Sequence, residues 1–314
     1  MPKEVAAATF GEQFLRFPDL FPTRRSGEVW GEQALEIDFV GGPYRFLGLH
    51  EEQVQATQER FGELCREPTE DDSGHVLTTR LFRIGRSEFR TFELDGWTYT
   101  FDRDYTPTSV RLAGLDFMGR LDWADDLSGA LFTGEGGGAT FQCLFENFFR
   151  VLVAYRLLEL GGVLLHSAGV ASRGRAHLFL GPSGAGKTTI SRLGLASGRL
   201  VLSDDMNALC PDEEGTPKVE KLPFAGDLGR TPTPRSTYPL ASLNRLRQGE
   251  NHLRPLARAE AVATLLSCAP FVNSDPHRLD VLVDNLRDLV GRCQFQELTF
   301  SKKGDFWPLL ENEI

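Results

Sequence analysis

The first third of the chain consists of short segments in which hydrophobic and polar residues alternate. Residues 51–65 carry apolar positions at helical spacing, which predicts an amphipathic helix. Residues 81–84 and 97–101 alternate with a period of two, as half-buried strands do. Strands with one apolar face are typical of antiparallel sheets. The pattern therefore predicts an α+β region with antiparallel strands.

A glycine-rich segment at 134–138 interrupts this pattern. It could be a phosphate-binding loop, but no Lys-Ser/Thr pair and no strand–helix frame accompany it. We therefore interpret the segment as a flexible joint. The joint predicts an N-terminal α+β domain at 1–138 and a second domain at 139–314.

The second domain opens with the most apolar stretch of the chain, 141–160. A membrane span needs about 20 nearly uncharged residues, whereas Glu146, Arg150 and Arg156 interrupt this stretch. We therefore predict a buried helix that ends at Gly161 and Gly162, and we expect no membrane partner.

Predicted strands and a helix alternate in the sequence after this stretch. Residues 172–175 predict a turn, and residues 188–197 predict a helix that stops at Gly198. Strand, loop, helix and strand in this order predict a βαβ unit with parallel strands. The apolar runs that predict strands are 163–165, 176–180 and 200–202.

The last third of the chain combines turns, a loop and two helices. Residues 211–215 predict a turn between two strands, and 223–239 predict a long ordered loop of the kind that is often functional. Asp275 and Pro276 predict the start of a helix. The elements predicted after the loop are helices at 257–268 and 276–290 and a strand at 294–300.

The segment from Gly181 to Thr188 fits G-x-x-x-x-G-K-[ST] at every fixed position. Its glycines let the backbone wrap a phosphate, and the following helix N-terminus adds partial positive charge. We expect Lys187 to reach the β- and γ-phosphates of ATP and Thr188 to hold Mg²⁺. A glycine-rich turn beside a solvated lysine is the alternative, and the flanking strand and helix argue against it. The residues predicted to bind nucleotide are Gly181, Ser183, Gly184, Ala185, Gly186, Lys187, Thr188 and Thr189.

Two adjacent acids, Asp204 and Asp205, follow the third apolar run. A carboxylate at the carboxyl end of a strand beside a phosphate loop can anchor nucleotide-bound Mg²⁺. A pair allows one acid to hold the metal while the other accepts a proton. Adjacent carboxylates repel each other, and a bound cation would relieve that repulsion. A polar strand end or a helix cap is the alternative interpretation.

A single histidine, His166, ends the apolar run before the phosphate-loop strand. One turn of chain could return its ring to the phosphate end of the sheet. A lone histidine is more often a packed or capping residue than a catalytic one. Its position alone therefore leaves both interpretations open.

Composition excludes several classes of function. The chain has 34 basic and 44 acidic residues, a net charge of −10, and no long basic block, so we expect no nucleic-acid partner. The five cysteines are scattered and lack the spacing of a zinc site or a redox pair, so we expect free thiols in a reducing compartment. The first ten residues lack the apolar core of a signal peptide. We therefore expect a cytoplasmic protein.

The order and spacing of His166, the phosphate loop and the two acids resemble the catalytic domain of HPr kinase/phosphorylase. Its relatives include kinase-like proteins that modify ribosomally made peptides and, more distantly, ATP-dependent phosphoenolpyruvate carboxykinases. The likeness lies in LLHSAGVASRGRAHLFLGPSGAGKTTISRL and GRLVLSDD, extends loosely to residue 314 and leaves out 1–138. It implies an α/β fold with the phosphate loop in a mixed sheet, and it makes His166 a site residue. The family often forms closed assemblies, so a homo-oligomer stays open.

Some features depart from the bacterial enzymes of this family. Thr189 stands where they usually carry an acidic residue, and the signature segment that engages their partner protein is not found. Residues 223–227, Pro-Phe-Ala-Gly-Asp, resemble the Pro-Phe-x-Gly-acid segment of uncharacterised homologues instead. We therefore do not expect HPr as the substrate or a reverse phosphorylase activity.

Together these residues predict an ATP-dependent kinase that phosphorylates a hydroxyl, and the resemblance implies a Ser or Thr of a peptide or small protein as the acceptor. Asp204 would be the general base, with His166 nearby tuning its charge. Lys187 would assist transfer, and Thr188 with Asp205 would hold Mg²⁺. The roles of the two aspartates could be exchanged.

Two other functions stay open. A kinase for a small hydroxyl-bearing metabolite would use the same residues. A catalytically silent nucleotide-binding module would need only the loop, so the set of His166, Asp204 and Asp205 disfavours it. Arg230 and Arg235 are candidates to pair with phosphate or an acidic substrate, and ordinary exposed arginines are the alternative.

Overall fold

The chain forms two compact units, Met1–Leu152 and Val153–Ile314. The computed structural model describes residues 28–69, 76–84, 102–114, 116–123, 126–224, 226–229 and 237–311. The division falls inside a long helix that begins at Gly138, the residue where the sequence places the domain boundary. Each unit combines helices with a mixed sheet, so the architecture is α/β.

Six α-helices lie in the described residues. The predicted amphipathic helix at 51–65 is present but ends at Phe61, because a 3₁₀ turn follows and Cys65 enters a strand. The helix predicted at 141–160 is confirmed, and the amide of Gly162 caps it by donating to the carbonyl of Leu157 at 2.8 Å. The helices are α1 (Glu51–Phe61), α2 (Gly138–Glu159), α3 (Lys187–Ala196), α4 (Arg258–Cys268), α5 (Leu279–Gly291) and α6 (Trp307–Glu311).

No helix of the described residues combines the length and the apolar character that a membrane crossing requires.

In the described residues of the first unit, nine strands form one sheet with the order β4-β2-β3-β5-β9-β8-β7-β6, and β1 pairs with β5. The strands are β1 (Glu28–Val29), β2 (Gln33–Ile37), β3 (Tyr44–Leu49), β4 (Cys65–Arg66), β5 (Leu77–Arg83), β6 (Asp102–Tyr105), β7 (Ser109–Gly114), β8 (Phe117–Trp123) and β9 (Leu127–Thr133).

The expectation of purely antiparallel strands is wrong for β5, which contains most of the run predicted at 81–84. This strand pairs parallel with both β3 and β9. The chain passes from β3 to β5 through α1, and a crossover of this kind makes the joined strands parallel. Aromatic side chains of α2 cover the sheet. The ring centroid of Phe46 lies 4.7 Å from that of Phe145 and 5.2 Å from that of Phe149. The strand predicted at 97–101 lies outside the described residues.

The part of the second unit that the structure describes also forms nine strands, in the order β10-β14-β15-β16-β12-β11-β13, with β18 beside β16 and β17 beside β18. The strands are β10 (Val163–His166), β11 (Ala168–Ser172), β12 (Arg175–Leu180), β13 (Leu200–Ser203), β14 (Met206–Pro211), β15 (Pro217–Lys221), β16 (Thr237–Gln248), β17 (His252–Pro255) and β18 (Gln294–Phe300).

The predicted βαβ unit is present as β12, α3 and β13, but its strands are not neighbours. The strand β11 lies between them and pairs antiparallel with both. The two outer strands therefore run in the same direction without a shared ladder. On one face a core that includes Phe179 of β12, Ile190 of α3 and Phe300 of β18 holds the helix on the sheet.

The start of α5 differs from the prediction. Asp275 was expected to cap a helix beginning at Pro276, whereas the helix begins at Leu279. The buried Asp275 carboxylate accepts hydrogen bonds from the His277 amide at 2.9 Å in the turn before the helix, from the Tyr155 hydroxyl at 3.0 Å and from the Arg278 guanidinium at 2.8 Å. A buried carboxylate is costly without partners, and these contacts satisfy it ahead of the helix. The predictions for α4, β18 and the turn before β15 are confirmed.

A buried histidine in the middle of β12 makes the stability of the second unit depend on pH. The Nδ1 atom of His177 lies 2.9 Å from Oγ of Ser242, and Nε2 has no hydrogen-bond partner among the described residues. Burial lowers the pKa of His177 from 6.5 to about 4. The unfolded chain therefore binds more protons between these two values, so stability falls as the pH is lowered through them.

We expect the free energy of unfolding to drop by about 2 kcal/mol between pH 7.5 and pH 5 because of this one group. Urea denaturation at a series of pH values measures the change. The His177→Gln variant cannot titrate at this position and should lose that part of the slope. An equal slope in both proteins would contradict the assignment.

Candidate functional site

The glycine-rich segment joins β12 to α3, the position that the sequence predicts for a phosphate loop. Gly186 has a φ of +112°, and a side chain there would lie 2.6 Å from the ring of Phe300. The amide of Ala185 donates to the carbonyl of Pro182 at 3.1 Å, which closes the bend before the helix. Glycine at 186 is therefore required by both backbone conformation and space.

Lys187, the first residue of α3, lies against the carbonyls of its own loop. Its side chain is buried, and Nζ donates to the carbonyl oxygens of Gly181 at 2.8 Å and Pro182 at 3.4 Å. Burial lowers the pKa of Lys187, and the interactions with Cys268 and with the negative charge of Asp205 oppose that shift.

The strand β16 supplies a loop contact that the sequence analysis missed. Nε2 of Gln248, at the end of this strand, donates to the carbonyl of Gly184 at 3.1 Å. No local pattern marks Gln248, because its role arises only from the parallel pairing of β16 with β12.

His166 and Asp205 meet at the ends of neighbouring strands. His166 ends β10, which pairs with the first residues of β14, and the amide of Ser167 donates to the carbonyl of Asp205 at 3.0 Å. The ring atom Nδ1 lies 3.1 Å from Oδ1 of Asp205, and the imidazole is 44% exposed. The histidine can therefore orient this carboxylate while one edge of its ring stays accessible.

The neighbouring acid, Asp204, is only 6% exposed. Its Oδ1 atom accepts a hydrogen bond from the amide of Leu228 at 3.4 Å, and Oδ2 is buried without a partner in the described part of the chain. Burial raises the pKa of Asp204, the charges of Asp227 and Asp205 raise it further, and the Leu228 amide opposes them. The two oxygens of this carboxylate are therefore not equivalent.

A serine fixes the turn that carries both acids. Oγ of Ser203 accepts hydrogen bonds from the amides of Asp205 and Met206, each at 3.1 Å. This turn joins β13 to β14 and ties the positions of the two carboxylates to the sheet. The sequence predicts the acids but not this serine, whose hydroxyl acts on residues beside it.

A short turn at 226–229 packs directly on the acids. The amide of Gly229 donates to the carbonyl of Gly226 at 3.0 Å. A side chain at Gly226 would overlap Oδ1 of Asp204 and lie 2.8 Å from Cβ of Asp205. Gly226 and Asp227 belong to the Pro-Phe-Ala-Gly-Asp segment, so the sequence marks this segment but not its place beside the acids.

The structure thus brings Lys187, Asp204, Asp205 and His166 to one end of the sheet. Thr188 and Thr189 lie half-buried in the first turn of α3, and Ser183 is exposed in the loop. The candidate residues Arg230 and Arg235 lie outside the described residues. Within the described ranges no three His, Cys, Asp or Glu side chains converge as a metal site.

No protein-family model matches the chain, and no curated protein matches it.

Proposed function

We propose that the second unit transfers the γ-phosphoryl group of ATP to a hydroxyl, namely a Ser or Thr hydroxyl of a peptide or small protein. The observation that carries this proposal is geometric: the loop follows β12 and the acid pair follows β13, which runs in the same direction, so the loop and a buried acid lie at one edge of the sheet. A phosphate loop alone would suit any nucleotide-binding protein. A base next to the loop is what transfer to a hydroxyl adds.

The loop and its lysine would hold the triphosphate. Amides that precede α3 and the N-terminus of that helix favour anionic oxygens. On binding, the phosphate oxygens would replace the carbonyls of Gly181 and Pro182 as acceptors for Nζ of Lys187. The ammonium would then stabilise the charge that develops on the transferring group.

The donor set beside the loop suits magnesium. The hydroxyl of Thr188 and the carboxylate of Asp205 are hard oxygen ligands, and Mg²⁺ in such sites completes its shell with phosphate oxygens and water. When bound, the ion neutralises charge on the phosphates. The contact from His166 would keep the Asp205 carboxylate turned to this task.

Asp204 would act on the acceptor. Its partnerless oxygen, Oδ2, would take the proton from the acceptor hydroxyl as that oxygen bonds to the γ-phosphorus. The bond from phosphorus to the β–γ bridging oxygen breaks, and ADP leaves. The mixed sheet, with β11 between the strands that flank α3, supports the resemblance to HPr kinase.

Incubation with γ-labelled ATP and Mg²⁺ tests this function. We expect label to appear on Ser or Thr of a peptide library, or on a short peptide encoded beside the protein. Label on a small hydroxyl-bearing metabolite would support a metabolite kinase instead. Tight nucleotide binding without any transfer would contradict the proposal and support a regulatory module.

A further inference from the structure

The turn at 226–229 donates a hydrogen bond to one oxygen of Asp204 and none to the other. The amide of Leu228 donates to Oδ1, whereas Oδ2 is buried and has no partner in the described ranges. A carboxylate can accept about four hydrogen bonds, so a buried oxygen that receives none is costly. That cost would be relieved when a hydroxyl reaches Oδ2.

The turn can reach the carboxylate only because residue 226 has no side chain. A Cβ atom there would overlap Oδ1 of Asp204 and lie 2.8 Å from Cβ of Asp205. The Gly226 carbonyl also accepts the Gly229 amide, which orders the turn that presents the Leu228 amide. Contact with both acids at once leaves the turn little freedom to shift away from an added methyl group.

We propose that the turn at 226–229 is the positioning element for the acceptor step, an inference that rests on the proposed function. The Leu228 amide fixes Oδ1 of Asp204, and this leaves Oδ2 as the atom that takes the acceptor proton. Gly226 sets the clearance over the acid pair. The turn acts through Asp204 and leaves nucleotide binding to the loop and Lys187.

The Gly226→Ala variant tests the inference with Mg·ATP and water as the acceptor. The water oxygen would bond to the γ-phosphorus while its proton passes to Oδ2 of Asp204. The bond from phosphorus to the β–γ bridging oxygen would break, and ADP and inorganic phosphate would leave. We expect phosphate release to fall by roughly 100-fold, since a displacement of about 1 Å at a reacting group has an effect of that size. The dissociation constant of Mg·ATP, measured by calorimetry, should change by less than about three-fold. Gly291→Ala is the matched control, because a Cβ at 291 meets no atom within 4 Å.

A double-mutant cycle separates positioning from general damage. If Gly226 acts through Asp204, adding Gly226→Ala to Asp204→Asn should slow release no further. Losses that multiply would overturn the inference, because the turn would then act elsewhere. If Gly226→Ala released phosphate at the rate of the unaltered protein while Asp204→Asn released it slowly, the inference would be overturned and the proposed function would stand. Normal release by Asp204→Asn would remove Asp204 as the base and overturn the inference with it, whereas no release and no label transfer by the unaltered protein would remove the proposed function itself.

A second pair of variants decides the case if Gly226→Ala does not fold, as judged by its melting temperature. Leu228→Pro removes the amide hydrogen, and Leu228→Ala keeps it while also losing the side chain. We expect Leu228→Pro to release phosphate at least ten-fold more slowly than Leu228→Ala. Equal rates would overturn the role of the amide.

Discussion

Replacing Asp204 by Asn is expected to slow phosphoryl transfer by roughly 10³-fold and to leave Mg·ATP affinity within about three-fold. The amide keeps the shape of the carboxylate and an oxygen for the Leu228 amide, but it cannot take a proton. Steady-state transfer assays and calorimetry on the same preparation measure the two quantities. The split between them identifies a group that acts in transfer rather than in binding.

The same substitution should not lower the melting temperature. Asp204 is buried and has one oxygen without a partner, so removing its charge removes a desolvation cost. Asp288→Asn, an exposed change on α5, is the control and should leave transfer unchanged. Transfer by Asp204→Asn within ten-fold of the unaltered rate would show that Asp204 is not the base.

Replacing Lys187 by Ala should weaken Mg·ATP binding by roughly 10- to 100-fold, which is the loss of one or two charge-assisted hydrogen bonds. Transfer should fall by at least roughly 10³-fold, because charge on the γ-phosphoryl oxygens grows in the transition state. The ammonium is already desolvated in its loop, so little further desolvation accompanies its move to phosphate. Calorimetry and transfer assays measure the two losses.

Lys303→Ala removes an exposed lysine and is the matched control for this prediction. We expect its affinity and its rate to equal those of the unaltered protein. Unchanged Mg·ATP binding by Lys187→Ala would argue against the phosphate-loop interpretation.

The parts of the candidate site that could be predicted are those whose residues lie close together in the sequence. The loop from Gly181 to Thr188 needs glycines, a lysine and a hydroxyl at fixed spacing, and the structure places it between a strand and a helix as expected. Asp204 and Asp205 could be proposed because they directly follow the apolar run that forms β13. These features depend on the conformation of a few neighbouring residues, so the spacing of residue types along the sequence is enough to predict them.

The parts that were not predicted depend on pairing between distant residues. The strand β11 carries small residues that look like a loop, and Gly169 in it lies against the side chain of Asn207, where a larger residue would collide. Likewise, Gln248, Gly226 and Leu228 reach the site through strand order and a turn, which no local pattern records. The parallel pairing of β5 in the first unit was missed for the same reason.

The twelve-residue strand β16 forms three ladders. Its first residues pair with β15, and its later residues pair with β12 and β18. Opposite β12 it already carries one extra residue between Leu240 and Ser242. Because side chains alternate between faces, a further residue between the β15 ladder and the β18 ladder would turn Gln248 to the opposite face. The number of residues between the β15 pairing and Gln248 is therefore set by the length of one strand, and that length is as constrained as any side chain in the site.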